Sequence, residues 1–300
     1  MKLRNFRGIF LLLAFLGLVT IACGLSGGDG DSGPPRNAVV VNVMANTSLT
    51  PWLETAVTQF NATETKNAAG DPVYVQLTNT EAGQAVSDLA GGGYDMWIPD
   101  EQVWVNVLAD QGDTDFQGDC VSVAQSPLVI GMWRDIAEAL RLGHTHPGLS
   151  GTGTSTLLAL VQAAQSKTDA VSATDIDQPI VQASVGAFEG GVAWFSNSSD
   201  ALGATMSSRD ISYLSAAVMY EATVVHYGNG RIVPIYPLEG TFMADFPACI
   251  SQSGNGEAAR IFRDYLLGDE GQGTAVTFGY ARSTTPSASA TRWTAATVSI

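Results

Sequence analysis

The sequence predicts an α/β fold of two lobes joined by two crossover strands. Three observations predict it. Apolar strands and amphipathic helices alternate over residues 38–110, proline interrupts two later strands, and one lobe could hold both Cys120 and Cys249.

The elements follow in chain order. "AVVVNVMAN" (38–46) is a near-continuous apolar run of the kind buried in a parallel sheet. "SLTPWLETAVTQFNA" has apolar residues at 52, 53, 56, 57 and 60, a helical stripe, with Thr50 expected as N-cap and Pro51 at the first helical position. "PVYVQLTNT" (72–80) reads as a strand, "EAGQAVSDLAGGG" as a short helix closed by glycines, and "YDMWIPD" (94–100) as a third strand before the helix "EQVWVNVLAD". Strand–helix–strand at this spacing implies right-handed parallel connections. "CVSVAQSPLVIGMW" (120–133) is long for one strand. Ser126-Pro127 is expected to break it by removing a ladder donor, as a bulge or as the passage between lobes.

Beyond "RDIAEALRLG", "TSTLLALVQAAQ" is strongly helical, and "VGAFEGGVAWFSNSS" can be read either way. "DISYLSAAVMYEATVVHYG" (210–228) places apolar residues at 211, 214, 217, 218, 224 and 225, which predicts one long helix. "RIVPIYPLEGTF" (231–242) is a second proline-broken strand, "GEAARIFRDYLLGDEGQ" an amphipathic helix, and an Ala/Ser/Thr-rich stretch follows. Taking both broken strands as crossovers puts 37–125 with 236–300 in lobe 1 and 126–235 in lobe 2. Cys120 and Cys249 then share lobe 1. An even pair in an exported chain invites a disulfide, two unpaired buried thiols being the alternative.

Residues 1–23 carry an export pattern. Lys2, Arg4 and Arg7 precede an apolar run from Ile9 to Ile21, then Ala22 and Cys23. Cys23 directly after Ala22 resembles a bacterial lipoprotein leader, in which this cysteine is lipidated. Thr20 stands where that motif usually has Leu, and an ordinary signal peptide or uncleaved anchor is the alternative. Residues 24–36 read as a flexible Gly/Ser tether. The expected location is the extracytoplasmic face of the cell membrane, held by lipid. No second stretch approaches about 18 apolar residues. The formal charge of −15, with only 14 Lys+Arg, excludes a nucleic-acid partner and a polybasic membrane patch.

"SPLVIGMW", "GHTHP…SGTG…LLAL", "YLSAAVMYE", "IYPLEGTF" and "EAARIFRDYLL" occur in that order. Together, across most of residues 38–280, they resemble bacterial extracellular solute-binding lipoproteins of the type II periplasmic-binding-protein fold. More narrowly they resemble a branch often associated with von Willebrand A domains, although no such domain is expected within residues 1–300. The resemblance implies a clamshell that captures a small solute, an oxyanion or another polar molecule, in an interlobe cleft. The implied partners are that solute and an ABC-type membrane permease. A non-transport cell-surface interaction or scaffold module on the same fold is the alternative. The chain departs from the pattern in a longer Gly/Thr stretch before Leu157.

In open α/β sheets ligands sit at the carboxyl ends of strands, where helix starts offer free N–H groups. On that rule the candidate ligand-binding residues are Thr47 and Ser48 after the first strand, Asp100 after the third, and Ser126 at the first crossover. Ser150, Thr152 and Thr154 before the "LLAL" helix join them, with Tyr236, Glu239 and Thr241 after the returning strand. Each has a structural alternative. The hydroxyls at 152–156 suit N-caps, Gly151 and Gly153 suit a turn, and Glu239 suits a structural role or a cationic contact.

His144 and His146 would share one face of an extended segment, as a metal pair does. A zinc site needs about four ligands, and only His226 and scattered carboxylates remain, so structural histidines are expected and no metal. "GTGTST" is neither a Walker A loop nor a dinucleotide fingerprint, and no G-x-S-x-G or H-E-x-x-H occurs. No enzymatic activity and no cofactor are expected.

Overall fold

The computed structural model describes residues 33–133, 141–209, 211–238 and 240–283. The leader, Cys23, most of the tether, residues 134–140, Glu239 and the final Ala/Ser/Thr-rich stretch lie outside them.

The first part alternates as the pattern predicts: β1 (Val39–Ala45), α1 (Thr50–Ala62), β2 (Val73–Asn79), α2 (Ala82–Leu89), β3 (Met96–Ile98) and α3 (Gln102–Asp110). β1 pairs in parallel with β2 on one side and β3 on the other. Two later strands complete a five-stranded sheet in the order β2-β1-β3-β11-β4, namely β4 (Cys120–Ser122) and the antiparallel β11 (Pro247–Ile250).

Both faces of this sheet are covered, which is why β1 is apolar at every position but Asn42 rather than alternating. Val41 and Val43 pack with Trp52 and Phe60 of α1 and with Phe262, whereas Met44 and Trp97 face Ala85 of α2 and Val105 and Leu108 of α3. Cys120 and Cys249 are direct cross-strand partners on β4 and β11 and form a disulfide.

A second, seven-stranded sheet is built around β5 (Ala124–Trp133). Chain order continues with β6 (Leu142–Thr145), α4 (Gly151–Ala164), α5 (Ala173–Ile176), α6 (Pro179–Gly191), β7 (Val192–Ser196), α7 (Ser199–Ser208), β8 (Ala216–Tyr220), α8 (Glu221–Gly228) and β9 (Ile232–Ile235). β10 (Met243–Ala244) and β12 (Ala281–Arg282) also pair with β5, as β9 does. β6 runs parallel to β7 and β8, while β5 runs antiparallel to β8. α9 (Gly256–Leu267) and α10 (Asp269–Thr277) return to the first sheet's core.

Four sequence expectations are corrected. The long strand breaks at Val123, not at Ser126-Pro127, and β5 runs through the proline. At that point Leu128 N–H donates to Phe242 O at 2.9 Å, so Pro127 withholds no donor from the pair. The single helix over 210–228 is instead β8 followed by α8. Ala216 to Tyr220 are all buried between β5 and β6, and a wholly buried run carries no period to distinguish strand from helix. Thr50 does not cap α1. Asn46 heads a 3-10 turn, Thr47–Leu49, by accepting from Ser48 N–H, and the turn runs into α1, whose first turn holds Pro51. The amphipathic helix after Gly256 is two helices, because Gly268 adopts an extended backbone and Asp269 and Glu270 begin a new first turn.

Candidate functional site

The carboxyl ends of both parallel strand sets meet. β1, β2 and β3 end at Asn46–Ser48, Glu81 and Asp100–Glu101; β6, β7 and β8 end at Thr145–Ser150, Ser196–Ser199 and Tyr220. The two sets touch directly. Gly83 N–H in the first turn of α2 donates to Leu149 O at 2.9 Å, and a Cβ at Gly83 would lie 2.4 Å from Gly148 O. Only glycine permits that approach.

Three carboxylates from the first sheet reach into the second. Asp100 is fully buried, and its Oδ2 accepts from Tyr220 OH at 3.0 Å. Gly151 N–H at the start of α4 also bonds this carboxylate, and a Cβ there would meet Asp100 Oδ2 at 2.1 Å. Glu81 Oε1 accepts from Thr47 Oγ1 and from Ser199 N–H at the start of α7, and the Ser150 hydroxyl also bonds this carboxylate. Glu101 accepts from Ser155 Oγ. Each first-sheet carboxylate is thus held by a hydroxyl or helix-start N–H of the second.

Electrostatics follow from this crowding. Burial, then the neighbouring Asp100 charge, pushes Glu81 up to about 7, against the pull of its hydrogen bonds from Thr47, Ser150 and Ser199. Burial raises Asp100 to about 6, opposed by the Tyr220 hydroxyl and the Gly151 N–H. Burial and the Asp100 charge raise Glu101 to about 8, although the residue as a whole is only half-buried. Burial also raises Asp245 nearby and holds the Tyr220 phenol well above its usual value, so Tyr220 remains a donor. No lysine, arginine or histidine among the described residues bonds or ion-pairs with Glu81, Asp100 or Glu101.

Of the sequence candidates, Thr47, Asp100, Ser150 and Thr152 gather here. Ser150, Thr152 and Ser199 form a buried hydroxyl ring at 2.8–3.2 Å, extended to Thr145 at 2.7 Å. Ser48 is buried beside it, donating to Asn46 Oδ1 at 2.6 Å. Ser126 Oγ accepts from Ala222 N–H at 3.1 Å, tethering the start of α8 to β5. Thr154 bonds the loop before its own helix, Pro147 O at 2.6 Å. Tyr236 is exposed and donates to Glu221 at 2.5 Å, and Thr241 bonds Leu128 O; neither joins the cluster.

The two histidines diverge. His144 is buried between Phe188 and Phe195, 3.2 Å from the Glu189 carboxylate. His146 Nδ1 instead accepts from Gly148 N–H within its turn. A shallow recess lined by Ser48, Asp200, His226, Tyr227 and Tyr280 lies alongside but contains none of the three carboxylates.

Sequence reasoning missed Glu81, Glu101, Ser199 and Tyr220. Glu81 follows the second strand as Thr47 follows the first, so the strand-end rule alone could have found it.

The family model for bacterial extracellular solute-binding proteins matches residues 41–281. The chain belongs to that family. This solute-binding protein also shares its fold with solved structures at low identity. The periplasmic molybdate-binding protein of Azotobacter vinelandii is 15% identical with a TM-score of 0.58, over 80% of this chain and 98% of that one. The sulfate-binding protein of Mycobacterium tuberculosis is 15% identical with a TM-score of 0.62, over 81% and 87%. A periplasmic thiamin-binding protein is 10% identical with a TM-score of 0.65, over 86% and 87%. Comparison with curated proteins gave no match. The solute-binding protein is therefore a two-lobed type II periplasmic-binding-protein fold.

Proposed function

We propose that the protein captures a small polar solute between its two lobes, at the meeting of the strand ends, and hands it to an ABC-type permease. One observation carries this reading. Residues far apart in sequence, Asp100 with Tyr220 and Glu81 with Ser199, hydrogen-bond across the junction of the two sheets. Hinge motion that separates the sheets would expose these groups together, and a solute would replace their mutual contacts. Lobe 1 comprises 37–125 with 236–300 and lobe 2 comprises 126–235, while the leader with Cys23 tethers the protein outside the membrane. Thr47, Ser48, Asp100, Ser150 and Thr152 contact solute; Ser126, Thr154, Tyr236 and Thr241 support the hinge and its loops. The structural neighbours include molybdate-, sulfate- and thiamin-binding proteins, so the fold does not choose the solute's charge.

One observation favours a second reading. Carboxylates of one sheet fill the helix starts of the other, as in a scaffold module with a sealed cleft. A thermal-shift screen of polar solutes separates the two. Solute capture gives a saturable 1:1 ligand, and a sealed scaffold gives none while recovering protein partners in pull-downs.

A further inference from the structure

We infer that the interlobe site is built for a small organic cation, one bringing ammonium or other N–H donors to Glu81, Asp100 and Glu101, rather than for an oxyanion. The inference rests on the solute-capture reading above and names its ligand class.

Two buried oxygens in the cluster, Glu81 Oε2 and Asp100 Oδ1, have no hydrogen-bond partner, in side chains that are 6% and 0% exposed. A buried acceptor without a donor is costly, and an ammonium group supplies donors and charge at once. Asn79 Oδ1, at the end of β2, is a further unpartnered acceptor; Asn46 Nδ2 is an unpartnered donor, but an amide cannot neutralise three carboxylates.

The features that would greet an anion are already engaged. Gly151 N–H is bonded to Asp100, Ser199 N–H to Glu81 and Ala222 N–H to Ser126. An oxyanion would have to displace carboxylates and then lie beside them.

Charge coupling supports the same direction. Asp100 couples electrostatically to both Glu81 and Glu101, with Asp245 from the β10–β11 connection and the Tyr220 phenol as further titratable neighbours. All four carboxyls are raised, so part of the cluster holds protons at neutral pH, and a bound cation expels them. An oxyanion would draw protons in.

The experiment is calorimetric titration at pH 7 in two buffers of different ionisation enthalpy. The probes are ethanolamine, putrescine and thiamin against sulfate and molybdate. The expected result is saturable binding of an ammonium probe with proton release, tightening from pH 5.5 to 8.5. Asp100→Asn should weaken that binding on the order of thirtyfold, the loss typical of breaking a buried charge pair. The proton count needs no variant, and thermal unfolding checks that the variant is folded. Sulfate or molybdate binding with proton uptake, undiminished in Asp100→Asn, overturns the inference while leaving solute capture intact. Binding of neither class up to millimolar concentration overturns both.

Discussion

Glu81→Gln isolates the energetic consequence of the buried carboxylates. Glutamine keeps an oxygen to accept from Thr47 and Ser199 and removes only the charge. In the wild-type protein the Glu81 pKa rises from 4.5 to about 7 on folding, because burial and the Asp100 charge disfavour the anion. The folded state then binds more protons than the unfolded chain across that window. Stability is therefore lost as pH rises from about 4.5 to 7 and levels off above. At about 1.4 kcal/mol per pKa unit the full effect is about 3 kcal/mol, absent in the variant. Any constant cost of the new amide cancels when the two proteins are compared across pH. For a chain of this size 3 kcal/mol corresponds to roughly 5–10 °C in Tm. Thermal unfolding by circular dichroism at pH 4.5 and 8.5 measures it. The variant should gain on the wild type by that amount between the two conditions, and parallel Tm–pH curves would mean that the Glu81 carboxyl is not raised on folding.

Other perturbations address single contacts. Gly151→Ala places a Cβ against Asp100 Oδ2, so small-angle scattering should show lobes that no longer meet, at a folding cost of about 1–3 kcal/mol. Wild-type dimensions in the variant would show that the approach is not tight. Tyr220→Phe removes a donor to Asp100 and should raise that carboxyl further; the destabilisation, about 1–3 kcal/mol at pH 8, should shrink below pH 6, as urea unfolding would show. Replacing Cys120 and Cys249 together by serine opens a cross-link between residues 129 apart, and the chain-entropy model gives a loss of about 5 kcal/mol. An unchanged Tm would mean that the bond adds nothing.

The first lobe was legible because its strands and helices differ in pattern: β1 is apolar but for Asn42, and α1 has a clear stripe. The segment 210–228 was not, because Ala216–Tyr220 is buried on every side and α8 begins at Glu221, directly after the strand, with no side-chain cap from Tyr220 to mark the boundary. That misreading hid Tyr220, which as a helical residue gave no reason to meet Asp100. Ser199 was hidden in the glycine- and aromatic-rich stretch that the pattern left open. Hydroxyls at strand ends were found because the rule concerns chain position. What that rule cannot show is which carboxylates end up without a counter-charge, since this depends on burial between two sheets distant in sequence. "HTHP" drew attention through chemistry that the fold divides between Glu189 and a local turn.

The proposed solute site opens and closes between the two sets of strand ends. The most direct measurement is the distance between spin labels at two exposed positions, Thr58 on α1 and Gln182 on α6, with and without saturating ethanolamine, putrescine, thiamin, sulfate or molybdate. A binding probe should collapse a broad distribution to a single shorter distance. An identical distribution with every probe would contradict it.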